Sequence, residues 1–142
     1  MISKFNIRVY GILLSDDKIL VSNERIGDFS MLKFPGGGLE MGEGPKQCVL
    51  REFKEELNIS ITVKSLLHTT ESFIQSAFRK NEQVIAIHYI VETNDVIEKF
   101  NTTQPISAGG LNTHFFEWRE LNENLLNNLT FEMDKQALKL LL

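Results

Sequence analysis

Apolar and polar positions alternate with a period near two through residues 5 to 14 and 18 to 25, on either side of Ser15-Asp16-Asp17. Two such runs split by a short polar turn predict a β-hairpin. A short strand through Leu32 and Phe34 then meets Pro35-Gly36-Gly37-Gly38, where glycine's permissive dihedrals predict a loop. From residue 45 to 57 the spacing becomes helical, with Pro45 suited to the first turn and Asn58 to a left-handed C-cap. Residues 59 to 74 and 83 to 93, rich in Ile, Val, Thr, Phe and Tyr, predict two longer strands joined at the polar tip Arg79-Lys80-Asn81-Glu82. Residues 94 to 112, with Pro105 and Gly109-Gly110, predict a long surface loop. A strand through Phe115 and Phe116 follows, then one or two helices ending in Ala137, Leu138, Leu140, Leu141 and Leu142. The expected class is α+β.

Composition narrows this little. At 142 residues the chain has the commonest size of a single domain, and 1–142 is read as one. With 42% hydrophobic and 24% charged residues it has the balance of a globular protein, and no apolar run approaches the roughly 20 residues of a membrane helix. The N-terminus lacks the apolar core of a secretory signal, and the single cysteine, Cys48, forms no internal disulfide, so a cytoplasmic location is expected. A net charge of −4 without a basic stripe argues against long nucleic acid as partner.

The chemistry concentrates in residues 35 to 59, PGGGLEMGEGPKQCVLREFKEELNI. On a helix, Glu52, Glu55 and Glu56 fall within an arc of about 100°. Val49, Leu50, Phe53 and Leu57 lie roughly opposite and form the expected packing face. Cys48 lies beside the acidic sector, small enough to let the glycine loop carrying Glu43 come close. Glutamates on a helix are ordinarily a solvated face. Here they are joined by a glycine loop, by Glu43 within it and by Arg51, a combination that suits a hard divalent cation such as Mg²⁺ bound through carboxylates and substrate phosphates. A cation would also offset the mutual repulsion of the acids.

Gly37, five residues, Glu43, seven residues, then Arg51-Glu52-Phe53-Lys54-Glu55-Glu56-Leu57-Asn58-Ile59 resembles the Nudix box of the Nudix hydrolases, G-x5-E-x7-R-E-U-x-E-E-x-G-U with U apolar. Asn58 departs from the family's glycine, with little expected effect because Asn also adopts αL. The box covers residues 37 to 59. Phe34-Pro35-Gly36 and the late Phe116-Glu117-Trp118 are similar to segments common around it.

The resemblance implies an α/β/α sandwich with a mixed central sheet, the loop–helix unit and C-terminal helices. It implies Mg²⁺- or Mn²⁺-dependent hydrolysis of a nucleoside diphosphate linked to another moiety. Glu52, Glu55 and Glu56, with the Gly37 carbonyl, are the implied metal ligands, while Glu43 and Arg51 hold the loop to the helix. Where some relatives place a catalytic glutamate this chain has Asn112, leaving Glu52 as first candidate for general base, with Glu71 and Glu117 behind it. Arg25 and Phe34 are the candidate substrate contacts. ADP-ribose, another nucleotide sugar, a nucleoside triphosphate and a dinucleotide polyphosphate remain open, and specificity is expected in residues 26 to 31, 75 to 83 and 94 to 112. A capped messenger RNA fits the acidic balance poorly. The family leaves a homodimer open, and a catalytically silent nucleotide-sensing module is the alternative reading.

The remaining singled-out residues are read as structural. Phe73, Phe78 and Tyr89 are expected in the core, as is Trp118, and Met31 and Met41 near the glycine loop are candidate pocket residues. His68, His88 and His114 show no zinc spacing.

Overall fold

A computed structural model describes residues 1–95 and 113–142. The elements run β1 (Lys4–Ser15), β2 (Lys18–Ile26), β3 (Phe29–Lys33), β4 (Gly36–Gly38), α1 (Pro45–Leu57), β5 (Ile61–Thr69), β6 (Glu82–Thr93), β7 (Thr113–Glu120), α2 (Glu123–Asn128) and α3 (Glu132–Lys139). The sheet is mixed: β1 and β6 are parallel from Lys4↔Glu82 to Leu13↔Val91, and the other pairs are antiparallel. The class is α+β.

The predicted hairpin forms, but its two strands pair only at the turn, through Leu14↔Ile19 and Ser15↔Lys18. Beyond that point they part. β1 runs with β6 on one side and β4 on the other, whereas β2 runs between β3 and β7. A cleft opens where the hairpin splays.

Alternation along β1 sends side chains to opposite faces. Val9 and Leu13 join Cys48, Val49 and Phe53 of α1 in one buried cluster, while Tyr10 and Ile12 join Leu125, Met133, Ala137 and Leu138 of α2 and α3 in another. Helices therefore cover both faces. At Gly11 a Cβ would overlap the Phe53 ring, so the missing side chain lets α1 sit close on the sheet.

Several expectations change. The glycine segment is not simply a loop: Gly36–Gly38 forms β4, paired with β1 through Val9↔Gly37. Its backbone finds partners along the edge of β1 that β2 leaves after the turn, which no local pattern reveals. The strand expected over 59 to 74 ends at Thr69, and two register shifts within β5 interrupt it at Val63/Ser65 and Leu66/His68. Leu50, assigned to the packing face, is 40% exposed because β1, β4 and β5 contact only a narrow strip of α1. Phe73 and Phe78, expected in the core, are exposed, since both lie in the segment between β5 and β6; Tyr89 is buried as expected. Trp118 packs against the α1-side cluster, as expected. The loop expected over 94 to 112, and Asn112 with it, lies largely outside the described residues.

Candidate active site

The loop–helix unit is built by local rules. Gln47 Oε1 accepts from the Gly44 N–H at 2.6 Å, Pro45 occupies the first turn, and Asn58 closes the helix at φ 54°, ψ 38° with its N–H on the Lys54 carbonyl. Asn58 thus adopts the left-handed conformation expected of it.

Arg51 is the hub. Its Nε donates to Glu43 Oε2 at 3.0 Å and its Nη2 to Glu43 Oε1 at 2.7 Å, a two-pronged grip on the loop. Nη2 also reaches the Gly38 carbonyl at 3.1 Å, and Nη1 reaches Glu52 Oε1 at 2.9 Å and Glu55 Oε2 at 3.2 Å. The Glu43 carboxylate in turn accepts from the Glu40 N–H at 3.0 Å. Hydrogen bonding from Arg51 holds the Glu43 carboxyl well below its ordinary range, at about 2. Cys48, against the Gly38 carbonyl, is buried, and that burial pushes its thiol up to about 12, so it serves packing rather than chemistry.

The three helix acids differ in setting. Glu55 is 59% exposed, whereas Glu52 is 13% exposed and lies over Gly37, where a Cβ would fall inside its carboxylate. Glycine at 37 is the condition for Glu52 to lie there. Burial, and then the neighbouring Glu52, push the Glu56 carboxyl up to about 8, with Lys33 pulling against them. Carboxylates crowded in this way are an oxygen-donor set suited to a hard cation, whose charge would offset their repulsion. Among the described residues no three His, Cys, Asp or Glu groups stand in ligating array, and Arg51 holds one oxygen each of Glu52 and Glu55. The donor chemistry and the Gly37 cradle fit a divalent cation.

Beside these acids the splayed hairpin forms a cavity of about 390 Å³. Its charged lining includes Arg8, Glu24 and Lys33, and its apolar lining includes Met31, Phe78 and Phe131. Lys33 Nζ stands 2.8 Å from Glu24 Oε2. Both carry charge that acts on Glu56, and Arg8 faces Glu52 and Glu56. Nearby, His114 Nε2 lies 2.6 Å from Ser22 Oγ, and burial lowers the imidazole's pKa against the pull of Glu24.

Not every candidate reaches this place. Arg25 is tied to its own turn, its Nε donating to the Gly27 carbonyl at 2.8 Å, and does not line the cavity. Phe34 is fully buried in ring contact with His88 and does not line the cavity either. Met31 lines it, but Met41 projects into solvent. Glu71 is exposed between β5 and β6, and Glu117 is ion-paired with Arg119 at 3.4 Å. Arg8, Glu24 and Lys33 were not singled out from the sequence. Arg8 had a usable signal, a charge on the face of β1 whose next positions, Tyr10 and Ile12, are core.

A family model described as the NUDIX domain matches residues 4–140. The 8-oxo-dGTP diphosphatase of Escherichia coli (strain K12) is 39% identical over 64 residues, covering 43% of this chain and 50% of that protein. The ADP-ribose pyrophosphatase of Methanocaldococcus jannaschii is 40% identical over 62 residues, covering 43% of this chain and 37% of that protein. The matched segments thus span half of these curated relatives or less. Among solved structures, a NUDIX hydrolase from Nitrosomonas europaea superimposes with a TM-score of 0.72 at 19% identity, covering 96% of this chain and 87% of that one, a likeness of fold. With the box residues assembled as described and the family model spanning nearly the whole chain, the protein belongs to the Nudix family.

Proposed function

We propose that residues 1–142 act as one domain that hydrolyses a diphosphate bond in a small nucleoside diphosphate derivative, using Mg²⁺ or Mn²⁺. The observation that carries this reading is the union of the Arg51-clamped loop, the Glu52–Glu56 pair and the adjoining cavity. Glu52, Glu55 and Glu56, with the Gly37 carbonyl, hold the cation. Arg51 and Glu43 fix the distance between loop and helix. When bound, the cation neutralises the diphosphate and lowers the pKa of a water it carries. Glu52, with Oε1 held by Arg51, is the carboxylate we assign to accept a proton from the attacking water. The cavity's volume lies in the usual range for small-molecule sites, and its aromatic wall suits a ring-bearing part of the substrate. Relatives that act on 8-oxo-dGTP and on ADP-ribose mark the two substrate types to try first.

The test is nucleotide or phosphate release from a panel containing ADP-ribose, a nucleotide sugar, 8-oxo-dGTP and a dinucleotide polyphosphate, with Mg²⁺, Mn²⁺ or chelator. Glu55→Gln serves as control: at an exposed site it should shift stability by less than about 0.5 kcal/mol. Metal-dependent cleavage by the wild type that Glu55→Gln cannot perform supports the reading. Binding without cleavage across the panel would replace it with a nucleotide-sensing module.

A further inference from the structure

Arg8 is half-buried on β1, where strand alternation calls for an apolar side chain like its neighbours on the same face, Tyr10 and Ile12. A guanidinium removed from water in this way needs partners for its donors. One is supplied: Arg8 Nε donates to Tyr10 Oη at 2.7 Å. No hydrogen bond from Nη1 or Nη2 is found among the described residues, and the side chain borders both the main cavity and a second, shallower one of about 370 Å³. Glu52 and Glu56 act on Arg8 through their charge and are not among its hydrogen-bonded partners.

The support behind Arg8 is rigid. The Tyr10 ring is buried and stacks on His88 with centroids 5.0 Å apart, and His88 Nε2 lies 2.7 Å from Asp134 Oδ1 of α3. With Nε fixed, the two Nη groups form the outer edge of a planar fork, the geometry that takes two oxygens of a phosphate at once. Lys33, the other cation of the cavity, is already matched by Glu24. Among the described residues Arg8 makes no ion pair, so it is the cavity cation whose charge no carboxylate matches at close range.

We propose that Arg8 binds the substrate's phosphate oxygens, bridging the Glu52–Glu56 acids and the cavity, and that Tyr10 is the positioning residue that aims its guanidinium. The assignment rests on the hydrolase reading above and adds to it a residue outside the box. It explains why a charge stands at a core-facing position of β1.

The experiment measures two affinities by calorimetry on the full chain. One is for Mn²⁺ alone; the other, in saturating Mg²⁺, is for methylenediphosphonate, which carries the diphosphate oxygens but no hydrolysable bond and no base. Arg8→Gln should weaken diphosphonate binding about 10-fold or more, the worth of hydrogen bonds to a charged group, while Mn²⁺ affinity stays equal or tightens as a facing positive charge is removed. Arg8→Lys should fall between, and Tyr10→Phe, which removes one hydroxyl, should weaken the diphosphonate about 3-fold and leave Mn²⁺ unchanged. Arg8→Gln or Tyr10→Phe weakening both ligands together would show a structural role and overturn the proposal. So would Arg8→Gln binding diphosphonate as the wild type does. Failure of the wild type to bind Mn²⁺ would instead overturn the reading of the acids, because that measurement contains no phosphate.

Discussion

His88 Nε2 lies 2.7 Å from Asp134 Oδ1, and both side chains are fully buried between the sheet and α3. The pair ties the helix at the end of the chain to β6. Because His88 Nδ1 and Asp134 Oδ2 have no partner among the described residues, each residue depends on the other for its burial. Removing one partner of such a pair costs more than the pair contributes, so Asp134→Ala should lower stability by about 3 kcal/mol in urea unfolding. The double change of His88→Phe with Asp134→Leu should recover most of that loss. A cost below about 1 kcal/mol for Asp134→Ala would mean that water or relaxation already satisfies the histidine.

Arg51→Lys keeps the charge but loses the fork that holds both oxygens of Glu43 while reaching Glu52 and Glu55. Stability should fall by only about 1 kcal/mol, as expected for a half-exposed network. Mn²⁺ affinity should fall about 10-fold, the usual effect of freeing the groups that orient metal ligands. Equal metal affinity in the two proteins would show that the loop keeps its place without the clamp.

Two glycines separate close approach from backbone freedom. At Gly37 a Cβ would fall inside the Glu52 carboxylate, so Gly37→Ala should displace that group and reduce turnover about 100-fold. At Gly27, φ is +60° and no atom of the described residues lies within 4 Å of the added carbon, so Gly27→Ala should cost about 1 kcal/mol of backbone strain and leave turnover unchanged. Kinetics and melting of the two variants, side by side, test both statements. Retained activity in Gly37→Ala would place Glu52 elsewhere in the working enzyme.

Glu43 makes stability depend on acid. Its carboxyl sits at about 2 when folded, against an ordinary 4.5, chiefly through hydrogen bonds from Arg51. A carboxyl lowered on folding stabilises above its unfolded pKa and loses that contribution as pH falls from about 4.5 towards 2. The gap in melting temperature between wild type and Glu43→Gln should therefore be constant near neutrality and close across that window. A gap that persists unchanged at the acid end would assign it to packing instead of charge.

Sequence alone determined the parts of this protein that depend on neighbours three or four residues away. The helix from Pro45 to Leu57, its left-handed cap at Asn58 and the shared face of Glu52, Glu55 and Glu56 follow from helical periodicity and local hydrogen bonding, and the structure contains each of them. Tertiary structure decided what periodicity does not encode. The glycine segment became a strand because β1 had an unpaired edge, Phe73 and Phe78 stayed exposed because they lie in the connection between β5 and β6, and Leu50 faced solvent because the sheet covers only a strip of its helix. Above all, the splaying of one hairpin brought Arg8 of β1, Glu24 of β2 and Lys33 of β3 to the acids of α1. Glu24 and Lys33 are ordinary in their own strands, and Arg8 stands out in its own only by sharing a face with Tyr10 and Ile12. They become one site only when long-range pairing closes the loops between them, and the position of that closure is set by which strand edges meet rather than by any residue's own preference.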